Sequence, residues 1–242
     1  MIYQDKDLPK GSSHNPFIYT NFVTTVDGKV QVLENWRSYW PIGSKTDYQT
    51  LLELRSFSDC LIHGSSTAKT FNFSKTINTQ SLRDLRKKLG KKETLPYVVL
   101  SNNPDKILVE SLKSRNQEKT YLVTNNKAVV KEEVKSDVNL VRAGKEKIDL
   151  KDLVLFLAKN LGAKRILVEG GPSVLGSFLS QDLIDEVFIT ITPKIFGNFP
   201  GKALTMVEGT LFPADKVKHL KLISAKSKND EVFLRYQIVK SK

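Results

Sequence analysis

Residues 165–176 read RILVEGGPSVLG, and the residue types follow the order of a strand, a glycine turn and a helix start. Arg165, Ile166, Leu167 and Val168 make a short buried strand. Gly170 and Gly171 can take φ > 0 and let a ligand approach bare backbone. Pro172 suits a first helical position, where its missing N–H would have no partner and its φ is already set. Amide N–H groups then gather at the positive end of a helix dipole, which is a site for phosphate or pyrophosphate. An ordinary βα turn can carry the same letters. Glu169 weighs for the ligand site, because a carboxylate at the carboxyl end of a strand, beside a glycine turn, sits where open α/β sheets hold their ligands.

Upstream of this stretch, Asp149 caps a helix whose Leu150, Leu153, Val154, Leu157 and Leu161 form a core-facing stripe. Before it, a helix over 81–89, a strand over 97–100, a helix over 104–113 and strands over 120–123 and 138–141 alternate as βα units do. Ser101, Asn102 and Asn103 end one of those strands. A further strand, 59–63, runs into Gly64-Ser65-Ser66-Thr67, small residues with hydroxyls that can bond phosphate oxygens at a helix start. His63 lies beside this junction with no second histidine or carboxylate at relay spacing, and reads as a satisfied histidine at a strand end. Ser44 caps a helix with Asp47 at its third position, and Tyr48, Leu51, Leu52 and Arg55 recur at helical spacing.

The β-branched and aromatic run PFIYTNFVTTV, residues 16–26, is a strand ending at the Asp27-Gly28 turn. Asn21 interrupts its apolar pattern, so it either finds a buried hydrogen-bond partner or faces a cavity. Residues 1–15 read as a polar arm or a flap against the body, and 16–242 as a single domain. Residues 29–42 carry Trp36 and Trp40, which can wall a pocket or staple the loop to the core. After a helix over 174–179, segments 186–191, 217–225 and 231–239 alternate as strands with no helix between the last two, so they pair antiparallel. The expected fold class is α/β: a mixed, mostly parallel sheet with flanking helices and antiparallel C-terminal strands. With Val232, Leu234 and Tyr236 on one face, segment 231–239 would leave an apolar edge in a monomer, and a homodimer is expected.

The chain has 242 residues, 40% hydrophobic and 26% charged, which suits a globular protein with a substantial core. No apolar run of about 18 residues and no signal-type N-terminus is present, so a cytoplasmic protein without membrane contact is expected. Cys60, the single cysteine, lies among Leu61 and Ile62 and reads as a core residue. A zinc nucleobase deaminase needs several such ligands around one metal, so no metal site and no deaminase are expected. The net charge of +12 raises nucleic acid as a partner. The basic residues are spread thinly and lack interleaved aromatics, so a nucleic-acid-binding protein is the alternative class and not the leading reading.

Three junctions end strands: Asn21 with Asp27-Gly28, Gly64-Ser65-Ser66-Thr67, and Glu169-Gly170-Gly171. With PFIYTNFVTTVDGK (16–29), DLKDLVLFLAKNLGAKRILVEGGPSVLGSFL (149–179) and LIDEVFITITPKIFG (183–197), the chain resembles the pyrimidine-nucleotide reductase domain of riboflavin biosynthesis, in its stand-alone archaeal-type form. That family is related in fold to dihydrofolate reductase, and the resemblance runs from Pro16 to about Val239.

The resemblance implies NADPH as cofactor, with its pyrophosphate on Gly170, Gly171, Pro172, Ser173, Val174 and Leu175. It places Gly64, Ser65 and Thr67 at the second cofactor junction and Ser101 and Asn102 near the adenosine portion. Asn21 and Glu169 are expected to orient the substrate, with a proton reaching the product from Glu169 or water, and Asp27 either acts as an acid or fixes the turn. Ser38, Trp40 and Arg55 complete the implied substrate contacts. After Thr67 the family continues into an Asp-Asp-Pro segment, whereas this chain has Ala68, Lys69, Thr70, Phe71, Asn72 and Phe73. The implied reaction is hydride transfer to the ribosylamino side chain of a pyrimidine 5′-phosphate, diamino or already deaminated. The alternative enzyme is a paralogous reductase of another small heterocycle such as dihydrofolate. Lys69, Arg83 and Lys106 are the cations considered for the 2′-phosphate.

Overall fold

The computed structural model describes residues 1–32, 42–70, 76–113, 119–130 and 138–240. Its strands are β1 (Phe17–Thr25), β2 (Gln31–Val32), β3 (Cys60–Gly64), β4 (Tyr97–Leu100), β5 (Thr120–Thr124), β6 (Asn139–Arg142), β7 (Arg165–Val168), β8 (Glu186–Thr192), β9 (Ala203–Leu204), β10 (His219–Lys228) and β11 (Glu231–Val239). Nine of them form one sheet in the order β10-β11-β8-β1-β7-β3-β4-β5-β6, while β2 and β9 pair separately. From β8 to β6 all neighbours run parallel. Strand β11 is antiparallel to β8, and β10 to β11.

The quoted stretch supplies the middle strand of this sheet. All four residues of β7 are buried, because a parallel strand is covered on both faces and reads as a continuous apolar run. Helices α1 (Lys45–Phe57), α2 (Ser65–Thr70), α3 (Gln80–Lys88) and α4 (Lys106–Lys113) contribute Leu52, Leu54, Phe57, Ala68, Leu82 and Leu108 to one core layer. Helices α5 (Leu150–Leu161) and α6 (Pro172–Ser180) contribute Leu153, Leu157, Leu175 and Phe178 to the layer on the opposite face. The Asp149 carboxylate accepts from Lys151 N and Asp152 N, which starts α5 where the cap was expected.

The chain leaves β1 for α1 on one face, and the neighbouring β7 for α6 on the other. Two adjacent strands whose onward connections diverge to opposite faces leave a crevice at their carboxyl ends, where open α/β sheets bind ligands.

One expectation changes, and of the two readings of residues 1–15 the flap is the one seen. Segment 231–239 is not the edge: β11 is paired on both sides, and the outermost strand is β10, nearly all exposed. The N-terminal residues lie down on the body, with Ile2, Tyr3 and Leu8 buried. Tyr3 packs edge-on against Phe188 with ring centroids 4.8 Å apart. Arg165 donates to Leu8 O at 2.8 Å and Pro9 O at 2.9 Å and pairs with Asp5. Three apolar residues among polar ones show no period, so their docking is invisible to pattern reading.

Candidate functional site

Two strand-to-helix junctions are brought side by side by the β3–β7 pairing. Gly64 N donates to Gly170 O at 2.7 Å, and a Cβ on Gly64 would lie 2.8 Å from Val174 Cγ2. Gly64, Ser65 and Thr67 therefore stand beside the Gly170–Leu175 turn. Gly170 has φ +89°, and a Cβ there would lie 2.7 Å from the Phe22 ring, so glycine is required on both counts. Gly171 differs from the expectation: its φ is −61°, ordinary for any residue, and a Cβ there would meet only Thr67 Oγ1, at 3.3 Å. Val174 N and Leu175 N already donate to Gly171 O, at 2.9 and 3.2 Å. Pro172 has no N–H, and among the described residues Gly170 N, Gly171 N and Ser173 N are the amides of this turn without a protein acceptor. Gly171 N and Ser173 N belong to the start of α6, the positive end of its dipole, and Gly171 lies beside Thr67.

Ser101 and Asn102 follow β4, one strand beyond the paired junctions. Ser101 N donates to Val123 O at 3.0 Å, and Asn102 Oδ1 accepts from Ile148 N at 2.9 Å and Asn125 Nδ2 at 3.3 Å. Further along the same sheet edge is a cavity of about 370 Å³ lined by Asn103, Pro104, Asn125, Lys127, Val129 and Glu146, which the sequence reading did not single out.

A second set of groups follows the last paired residues of β3, β7 and β1. Ile62 aligns with Val168 and Val168 with Thr20, so His63, Glu169 and Asn21 come next in three neighbouring strands. Arg55, reaching in from α1, donates from Nε to Glu169 Oε1 at 2.7 Å and from Nη2 to Oε2 at 2.6 Å. Its Nη1 also donates to Thr76 O at 3.3 Å. The Arg55 and Glu169 side chains are only 4% and 6% exposed. Burial favours the neutral acid, but Arg55 and His63 more than reverse this and hold the Glu169 carboxyl down at about 2. Glu169 is thus held as a carboxylate at neutral pH. Asn21 is 9% exposed, and its side-chain amide has no partner among the described residues.

The remaining candidates part company with the row. Asp27 accepts from Thr25 Oγ1 at 2.5 Å, Gly197 N at 2.8 Å and Phe196 N at 3.2 Å, bonds that hold its carboxyl below the usual range. It ties the β1 turn to the loop after β8. Ser38 and Trp40 lie outside the described residues. Lys69 pairs with Asp105 where α2 and α4 meet, Lys106 lies 3.7 Å from Glu110, and Arg83 is held by Ile77 O and Glu93 away from the glycine junctions.

Sequence reasoning missed two groups. His63 has no carboxylate at relay spacing in the sequence, yet its Nε2 lies 3.0 Å from Glu169 Oε2 and its Nδ1 3.0 Å from the Tyr97 hydroxyl. Asp47 stands at the third helical position after the Ser44 cap, where a side chain can reach back to the cap N–H. Ser44 does cap α1, but Glu231 accepts from its N–H at 2.8 Å, and Asp47 turns inward beside Thr190. Burial pushes the Asp47 carboxyl up to about 6, and its Oδ1 has no partner among the described residues. Cys60 is fully buried, with its thiol pushed far up by burial, as a core residue would be.

This is an α/β domain with two paired glycine junctions and a buried, charge-paired carboxylate at one topological switch. The chain belongs to the RibD C-terminal domain family, whose model matches residues 16–233. A relative from Archaeoglobus fulgidus, named 2,5-diamino-6-ribosylamino-4(3H)-pyrimidinone 5′-phosphate reductase, is 29% identical over 192 residues, 75% of this chain and 82% of that one. A protein of the same name from Methanothermobacter thermautotrophicus is 24% identical over 233 residues, 92% of this chain and 98% of that one. The solved structure of a pyrimidine reductase-like protein from Corynebacterium diphtheriae has the same fold, with a TM-score of 0.72 and 23% identity over 93% of each chain. No helix among the described residues is long and apolar enough to cross a membrane.

Proposed function

We propose that this chain is an NADPH-dependent reductase of riboflavin biosynthesis that converts the ribosylamino side chain of a pyrimidine 5′-phosphate to ribitylamino. The observation that carries this reading is the placement, at one crevice, of the paired glycine junctions beside the Glu169–Asn21 row. Gly171 N and Ser173 N, the bare Cα of Gly171 and the facing Thr67 hydroxyl fit a pyrophosphate. The cavity beyond β4 suits the adenosine end, and Lys69, at the mouth between α2 and α4, is the best placed of the three cations for a 2′-phosphate. When bound, NADPH supplies the hydride, and the protein supplies position and charge.

On the substrate side Glu169 accepts a hydrogen bond from a sugar hydroxyl or an amine, while the Asn21 amide can donate or accept beside it. Because Glu169 stays ionised, the proton that completes the reduction comes from water. Asp27 anchors the loop at 196–197 and takes no part in proton transfer. The named relatives support the diaminopyrimidinone as substrate and, as biosynthetic enzymes, a cytoplasmic location.

The test is NADPH oxidation followed with the diamino and the deaminated pyrimidine nucleotides and with dihydrofolate. Turnover of a pyrimidine nucleotide is expected, and turnover of dihydrofolate alone would overturn the reading. We also propose a homodimer. Leu220, Leu222 and Ile223 on β10 and Val232 and Val239 on β11 leave apolar surface exposed at the sheet edge. Light scattering is expected to give twice the 27.3 kDa of one chain, and the mass of one chain at micromolar concentration would refute it.

A further inference from the structure

We propose that His63 is a positioning residue for Glu169: with Arg55 it fills both acceptor places on Oε2, so that a substrate N–H or O–H is taken by Oε1. The inference rests on the function proposed above. Each oxygen of an ionised carboxylate offers about two acceptor places. Oε2 receives Arg55 Nη2 at 2.6 Å and His63 Nε2 at 3.0 Å, while Oε1 receives Arg55 Nε alone, at 2.7 Å. One place therefore remains among the described residues, and it lies on Oε1.

The imidazole is itself held in register. For Nε2 to donate to the carboxylate in the neutral ring, Nδ1 must be an acceptor, and the Tyr97 hydroxyl, 3.0 Å away, is the donor it needs. Tyr97 also packs edge-on against the ring, with centroids 5.4 Å apart and an interplanar angle of 87°. The Tyr97–His63–Glu169 chain thus crosses from β4 through β3 to β7, and it is buried throughout. A carboxylate turned by even part of a bond angle would present a different lone pair to the crevice, and substrate orientation is sensitive to such displacements. The remaining place accepts a donor only, so this part of the site recognises a sugar hydroxyl or an amine and repels a phosphate group.

The experiment compares His63→Val and His63→Gln with the parent in steady-state turnover of the pyrimidine nucleotide, with NADPH affinity measured separately by fluorescence. Valine fills the strand position but cannot donate. It is expected to raise KM for the nucleotide by about tenfold, while NADPH binding stays within about twofold. Glutamine can donate to Glu169 and accept from Tyr97, and is expected to return KM to within about threefold of the parent. A role in packing alone predicts no such rescue. If His63→Val keeps the parent KM, or if glutamine is as damaging as valine, the inference falls while the function stands. If the parent itself turns over no pyrimidine nucleotide, the function falls and takes the inference with it.

Discussion

Gly171→Asp is expected to lower NADPH affinity at least about a hundredfold, roughly 2.7 kcal/mol, without unfolding the protein. Backbone strain is not the reason, since φ at Gly171 is −61° and a side chain is tolerated there. Direction is the reason. A Cβ at this position would point at Thr67 Oγ1, 3.3 Å away, across the gap between the two helix starts. Gly171 is the N-cap of α6, and aspartate is a favoured N-cap whose carboxylate bonds to the next free amides. The variant would occupy its own anion site with Ser173 N and repel a phosphate that approached. Gly171→Ala, which adds only a methyl group, is the control and should bind NADPH within about tenfold of the parent. Fluorescence titration with circular dichroism decides the matter. Parent-like NADPH binding by folded Gly171→Asp would leave the glycine turn as a turn and remove the main physical support for a nicotinamide enzyme.

Arg55→Ala is expected to cost about 3–5 kcal/mol of stability in urea denaturation, because it leaves Glu169 charged, buried and without its bidentate partner. A loss below about 1 kcal/mol would mean that the pair is solvated and worth no more than a surface bridge. The same pair sets an acid limb. The Glu169 carboxyl is lowered from 4.5 to about 2 in the folded protein, where Arg55 and His63 overcome the opposing effect of burial. A depressed folded value means that the stabilisation is fully present above the unfolded value and disappears as pH falls from 4.5 towards 2. The shift amounts to about 3 kcal/mol. In Arg55→Ala this limb should shrink or move to higher pH. An unchanged acid profile in the variant would show that another group carries it.

Local features were readable from the chain itself. Strand, glycine turn and helix over 165–176, the Asp149 cap, and the alternation of apolar runs with helical stripes all depend on residues within a few positions of one another. Their dihedral preferences and burial periods act before any tertiary contact forms. They determined the α/β class, the mixed sheet and the neighbourhood of the glycine turn.

Tertiary structure alone decided which groups meet. His63 and Glu169 are 106 residues apart and touch only because β3 pairs with β7 in one register. Arg55, 114 residues from Glu169, was visible as a helical residue but not as its counter-ion. Ser44 found its reciprocal partner in Glu231, 187 residues away, and not in Asp47 three positions on. Strand β11 is interior because β10 pairs along its outer side. A period of two or of 3.6 reports which face of an element is buried. It carries no information on which strand lies alongside, and so none on which charges will share a desolvated space; long-range pairing settles that.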